Sequence, residues 1–516
     1  MQKTTTGLLV TTTTLTLVVG SMLSAQAPAT DRATRKSPDA ALCRRAPQLA
    51  ALPPEEQVRR QQPPVAGAPP GSVDDALAEV VAAPVAVAPL PTMASSAPPA
   101  ATPKAASKLD SISVSGSRMP ATAREAWEHA RMDGSTAGAG PRIGIEEGRS
   151  QSGTLTAGEH DDLLNPQLYA DYVRASDLGQ RIRDFPVVDT GRVLTVQVTD
   201  AAGRPVPFAD VTLTCADGNT LSLASAADGR VVFFPQLDRL GSMVRLDVRH
   251  ASKRLAPQRT LTLAGSGAQQ VQVRSSRAAP DVRQFDLMVV LDTTGSMGDE
   301  LDYLNEELQA IVQRIGQAHR GLDIRIGLML YRDQGDAYVT RTYPFTRDLA
   351  QLQAAIAQQS ADGGGDYEEA VQEALHRAVA TDWRNGAVKS LLWVADAPPH
   401  DADIAHAWQA VETARAKRIH IVPVAASGVG DVAEYLMRAS AALTQSRYLF
   451  LTDDSGVGNP HAPPAVDCYL VTRLDTLVQR VLESQISGRR IEPSSADVIR
   501  QVGQYDHGRC LTPRQE

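Results

Sequence analysis

The chain of 516 residues predicts an α/β fold, a doubly wound and mostly parallel sheet, preceded by a small β-sandwich and a disordered N-terminal region. Three patterns point there. From 285 to 451 short apolar runs alternate with stretches whose apolar residues recur at helical spacing, as strands and their covering helices do. From 192 to 274 shorter segments alternate apolar and polar residues between Ala-Gly, Asp-Gly and Pro turns, the pattern of a small sandwich. Before about residue 110 Ala and Pro dominate with hardly any aromatic residue, so too little apolar surface exists to offset the entropy of ordering.

Taken in order, Lys3, the apolar and Thr-rich stretch from Leu8 to Val19, and the small residues Ser24, Ala25 and Ala27 predict a signal peptide over 1–27. Export follows, to the periplasm, the outer membrane or the medium. The stretch is shorter than the roughly 20 apolar residues that span a bilayer, so no transmembrane span is expected after cleavage. A disordered Ala/Pro-rich linker is expected over 28–110 and an irregular, partly ordered segment over 111–190. The β-sandwich occupies 191–275, with strand segments RVLTVQVTD, ADVTLTCA, GRVVFFP, MVRLDVRH and RTLTLA. The α/β region occupies 284–487, and 488–516 is a C-terminal tail. Its strands are expected at 285–291, 322–331, 338–344, 389–395, 419–425 and 448–451. Helices are expected between them, the first with Leu301, Leu304, Leu308, Ile311, Val312 and Ile315 on one face, the others at 348–358, 367–380, 402–418, 431–444 and 472–486.

The formal charge of −8 is modest for 55.0 kDa, and the 51 Lys and Arg are not gathered into a block, which argues against a nucleic-acid partner. The four cysteines are too scattered for a zinc ribbon. In an oxidising compartment Cys43, Cys215, Cys468 and Cys510 allow one or two disulfides, and the spacing does not choose among the three pairings.

The segment FDLMVVLDTTGSM places Asp292, Thr294 and Ser296 where a buried strand ends and a helix begins. Alternate residues of one tight loop turn three oxygen donors toward one point, and carboxylate and hydroxyl oxygens are what a hard divalent cation takes. The same residue types serve as turn and N-cap residues, so the wider pattern of strand, loop and amphipathic helix carries the reading. Asp299 and Glu300, and likewise Glu368 and Glu369, read as helix-start charges that complement a dipole. His400 and His406 flank a helix start without a third spaced ligand, so surface or capping roles are expected rather than zinc.

Two resemblances follow from these residues. The passage VTDAAGRPVPFADVTLTC, followed by AADGRVVFF, resembles the carboxypeptidase-regulatory-like and bacterial immunoglobulin-like modules that serve as spacers in secreted proteins. Residues 284–487 resemble a von Willebrand factor type A domain with its metal-ion-dependent adhesion site. Asp292, Thr294 and Ser296 match the first metal loop, D-x-[ST]-x-S, and Asp396 in LLWVADAPPH matches the acidic residue of the third. In the second loop, DGGGDYEEAV at 362–371, Asp366 stands where many members present a Thr. The resemblance implies a metal set of Asp292, Thr294, Ser296, Asp366 and Asp396, with Asp366 binding directly or through water. The ion it implies is Mg²⁺, with Mn²⁺ or Ca²⁺ as alternatives. It also implies a non-enzymatic function: a protein partner supplies a carboxylate that completes the cation's shell, in adhesion or envelope protein–protein interaction. The alternatives are an envelope assembly scaffold with a structural metal and a metal-dependent hydrolase.

Overall fold

The computed structural model describes residues 42–49, 52, 55, 153–299, 301–319, 321–457 and 460–511. The expected signal peptide, most of the linker and residues 111–152 lie outside the described residues.

Strand β1 (Thr156–His160) and helices α1 (Pro166–Ala175) and α2 (Leu178–Arg181) precede the β module. Its strands are β2 (Arg192–Thr199), β3 (Asp210–Thr214), β4 (Thr220–Ala224), β5 (Arg230–Phe233), β6 (Met243–His250), β7 (Lys253–Arg254), β8 (Arg259–Thr262) and β9 (Gly267–Arg274). They form two sheets, β5-β2-β9 and β4-β3-β6-β7, with β8 also on β6. Alternate residues of both sheets meet in one core: Val196, Val231 and Phe233 from the first face Val211, Leu213 and Leu246 from the second. This is the period-two burial that the alternating segments predict. Strands β4 and β9 were not expected, the first because TLSLA is short, the second because GAQQVQVR exposes all but two valines and Gln269.

The α/β part continues with β10 (Gln284–Asp292), α3 (Leu301–Ala318), β11 (Asp323–Tyr331), β12 (Thr340–Thr346), α4 (Leu349–Ala357) and α5 (Val371–Ala380). Then come β13 (Val388–Ala395), α6 (Ile404–Ala416), β14 (Ile419–Ala425), α7 (Asp431–Leu443), β15 (Tyr448–Thr452), β16 (Tyr469–Arg473), α8 (Leu474–Ser487) and β17 (Arg500–Val502). One nine-stranded sheet results, in the order β12-β11-β10-β13-β14-β15-β1-β16-β17. The five strands from β11 to β15 in that order are parallel, and β12, β1 and β17 run against their neighbours. The central strands β13 and β14 are buried along their whole length, which is why they read as unbroken apolar runs. Strand β10 divides its side chains between two cores. Phe285, Leu287, Val289 and Leu291 pack with α3 and α8, whereas Met288 and Val290 face the layer of α5, α6 and α7. No helix among the described residues is long and apolar enough to cross a membrane.

The strand pairing moves the expected boundaries. The sheet that begins at 284 in sequence also takes in β1, from the segment expected to be irregular, which lies between β15 and β16. It takes in β17 from the expected tail, and Cys510 is joined to Cys468 ahead of β16. The β module is thus inserted into the α/β unit between α2 and β10. Residues 42–49 are a second correction, because this part of the expected linker is held in place. Cys43 is buried in a disulfide with Cys215 of the β module, and Arg44 forms a two-armed ion pair with Glu412 of α6.

Candidate metal centre

Strand β10 has β11 on one side and β13 on the other, and the chain visits the two sides in separate excursions. A crevice opens where strand order reverses, beyond the carboxyl ends of the strands. Asp292 is the last residue of β10, and Asp396 follows the last residue of β13. Both are buried, with 0% and 2% exposure.

In the first loop Thr294 donates its N–H (3.0 Å) and its hydroxyl (2.7 Å) to Oδ1 of Asp292, and Ser296 Oγ lies 3.3 Å from Thr294 Oγ1. The three side chains are therefore gathered, with Ser296 at the solvent side. Thr293 points away. Its hydroxyl bonds the Tyr331 carbonyl (2.9 Å) and the Tyr338 hydroxyl (2.7 Å), fixing the loop to β11.

The second loop lies on the first through backbone bonds, Gly295 N–H to Gly363 O at 3.2 Å and Asp362 N–H to Thr293 O at 3.2 Å. Gly363 and Gly364 both have positive φ, 84° and 73°. A side chain at Gly364 would crowd Glu369, since a Cβ there would stand 2.9 Å from Glu369 Oε1 and 3.4 Å from Thr294 Cβ. Glu369 is joined to the third loop, its N–H bonding the Pro398 carbonyl at 2.9 Å. Tyr367 ties the same loops together, accepting the Gly430 N–H at 2.6 Å and facing the carbonyls of Asp396 and Gly428.

Burial raises the Asp292 carboxyl to about 6 against the hydrogen bonds of Thr294, and Asp333 pushes it further. Burial also raises Glu369, followed by the charges of Asp292, Asp333, Asp396 and Asp336, to about 10. The Tyr331 phenol, driven up first by burial, also feels Asp292, Glu369 and Asp396. The charges of Asp292, Asp333 and Asp396 thus all bear on Glu369. Asp292 Oδ2 and Glu369 Oε2 are buried without a hydrogen-bond partner. Orphaned, mutually repelling carboxylate oxygens beside two hydroxyls are the donor set that a divalent cation satisfies, so the residues fit the ion that the fold resemblance implies.

Of the expected site residues, the structure brings together Asp292, Thr294 and Ser296, with Asp396 acting on the same neighbours. Asp366 is exposed. One ligand atom each of Asp366, Asp333 and His400 lie within 4.8 Å of one another, and His400 Nε2 is 2.9 Å from Asp333 Oδ1. Burial alone would lower His400, but the bond to Asp333 outweighs it and the net shift is upward. Sequence reasoning missed Asp333 and Glu369. Asp333 carries the same signal as Asp292, an acid just past a buried strand, whereas Glu369 reads in sequence as a helix-start charge together with Glu368.

Residues 286–458 match the family model of the von Willebrand factor A domain, and the large, mostly parallel sheet flanked by helices agrees with it. A putative ariadne-like RING finger protein of Acanthamoeba polyphaga mimivirus is 37% identical over 115 residues, 22% of this chain and 11% of the relative. Alpha-protein kinase vwkA of Dictyostelium discoideum is 27% identical over 120 residues, 23% of this chain and 19% of the relative. The chain therefore spans no more than a fifth of the length of these curated relatives. The segment 286–458 is a von Willebrand factor A domain, in general a protein-interaction module.

Proposed function

We propose that this is an exported, non-enzymatic binding protein whose A domain holds a divalent cation, Mg²⁺ first, and offers it to an acidic group on a protein partner. Asp292, Thr294, Ser296 and Asp396 hold the ion together with an acid of the second loop, for which the sequence points to Asp366. The observation that carries this reading is Asp292 itself, fully buried, with Oδ1 engaged by Thr294 and Oδ2 left without a partner. The bound ion supplies a Lewis-acidic point that a partner's carboxylate completes. Export is supported by the two disulfides, which pair all four cysteines.

The rim narrows the partner. Across 292–299, 332–338, 360–370 and 396–403 the sequence places eleven Asp and Glu against one Arg and one His. Arg332 bonds the Ser360 carbonyl and stacks on Tyr338, so it is held at the base of the loops. A partner's single carboxylate therefore has to arrive within a basic surface, because like charges brought together cost several kcal/mol. Capture from envelope extract tests this. The partner should bind in Mg²⁺, come off in EDTA, and fail to bind Asp292→Ala; the same proteins in all three lanes would refute the reading.

A second reading, metal-dependent hydrolysis, is favoured by the Asp333, Asp366 and His400 group beside the first site. Two-metal chemistry needs ions about 3.5–4 Å apart. Two bound ions per chain, with hydrolysis of a model ester, would support it over binding alone.

A further inference from the structure

We propose that the partner is a second copy of this chain, and that its Asp281 supplies the carboxylate that the acidic rim receives. This rests on the binding reading given above and names the partner of that site.

The rim calls for a carboxylate set in a basic surface, and the chain carries one. Between Asp247 and Asp286 the sequence has seven Lys and Arg, all exposed, and a single acid, Asp281. Arg249 and Arg254 are engaged with Asp247, whereas Lys253, Arg274 and Arg277 form no ion pair among the described residues. Asp281 lies in the connection from β9 to β10, between Arg277 and Arg283, with 73% of its side chain exposed. Its one ion pair, to Arg283 at 3.5 Å, is loose and solvated, so the carboxylate is available to an incoming cation. The backbone on both sides is pinned: Ala279 N–H bonds Asp200 Oδ2 at 3.1 Å, and the Arg283 carbonyl accepts the Asp323 N–H at 2.9 Å. A carboxylate on a fixed backbone loses less entropy on binding than one on a free segment.

Within one chain the two features cannot meet. Asp281 stands three residues before β10 and Asp292 ends it, so nine residues of strand, about 30 Å, separate them. The β module packs at the same amino end of the sheet as Asp281, where Arg418, just ahead of β14, stacks on Phe208. Rim and basic surface therefore lie at opposite ends of the A domain. A contact between them joins two different surfaces of two copies, and repeated contacts build a head-to-tail chain.

Sedimentation velocity of the full chain in Mg²⁺ and in EDTA, alongside melting in both, tests this. The wild type in Mg²⁺ should form dimers and longer species that grow with protein concentration and shrink as salt is raised, and in EDTA it should be monomeric. Asp281→Asn should stay monomeric in Mg²⁺ yet keep the full Mg²⁺-dependent rise in melting temperature; Asp292→Ala should lose both. An equal mixture of the two variants should form dimers and nothing longer, because one intact contact remains. Asp382→Asn should assemble as the wild type does, since this exposed acid at the same end shares Arg325 with Asp286. A wild type that stays monomeric while its melting still rises with Mg²⁺, Asp281→Asn assembling as the wild type does, or a mixture without dimers would overturn the second-copy assignment alone. A wild type whose melting ignores Mg²⁺ would overturn the cation reading as well.

Discussion

Glu159 sits inside the sheet with 1% of its side chain exposed, and Arg447, Arg480 and Arg490 close on it at 2.7, 3.2 and 3.9 Å. Burial pushes its carboxyl up, but Arg447, Arg490 and Arg480 together outweigh burial and hold it at about 2, below its ordinary 4.5. A carboxyl depressed by folding stabilises the native state above its unfolded value and loses that contribution as pH falls through the folded one. Two and a half units correspond to roughly 3 kcal/mol, present above pH 4.5 and gone near pH 2. Glu159→Gln should therefore be destabilised by about 3–5 kcal/mol at neutral pH, because Arg447 and Arg480 lose their carboxylate partner inside the protein, whereas Arg490 keeps Asp161 and Glu492. In urea unfolding, the gap between wild type and Glu159→Gln should be widest above pH 4.5 and narrow toward pH 2. A gap independent of pH would contradict this account of the network. The grouping of Asp292, Thr294 and Ser296 was legible because their spacing is local: they are alternate residues of one turn. Glu369 was not, because only the fold decides which of two adjacent glutamates turns inward.

Strand β1 shows the same limit for an element. Its sequence, TAGEH, has one apolar side chain beyond glycine, yet all five residues are buried between β15 and β16. Hydropathy finds the central strands because their burial is met by apolar side chains. β1 is buried by other means, namely the arginines around Glu159, the pairing of Asp162 beyond its end with Arg438, and Gly158 under two aromatic rings. A Cβ at Gly158 would stand 2.4 Å from the Phe450 ring and 2.9 Å from Tyr469, whose rings already meet edge to face. Gly158→Ala should cost about 1–3 kcal/mol through overpacking, read as a lower urea midpoint at unchanged slope. A wild-type midpoint would show that β1 is not seated in the sheet as described.

At the scale of the molecule, the insertion of the β module makes the α/β unit discontinuous, and the chain that closes it comes from both sides. Residues 284–487 expressed alone lack β1 and β17, so β15 and β16 lose the strand between them. This fragment should be aggregated or unfold without cooperativity, whereas 153–511 should melt in one transition; a cooperative 284–487 would contradict the topology. Disulfides add to the closure. In the chain-entropy picture the 42-residue separation of Cys468 and Cys510 is worth roughly 4 kcal/mol, and the double change Cys468→Ser, Cys510→Ser should lower stability by up to that amount.

The central claim is that loops far apart in sequence converge their oxygens on one divalent ion at the β10–β13 crevice, and it is tested most directly by thermal melting with and without Mg²⁺. A ligand at 100 times its dissociation constant stabilises the native state by about 2.7 kcal/mol. The wild type should melt several degrees higher in saturating Mg²⁺ than in EDTA, and Asp292→Ala should show no such shift. A wild type indifferent to Mg²⁺, or an Asp292→Ala variant that shifts as the wild type does, would contradict it.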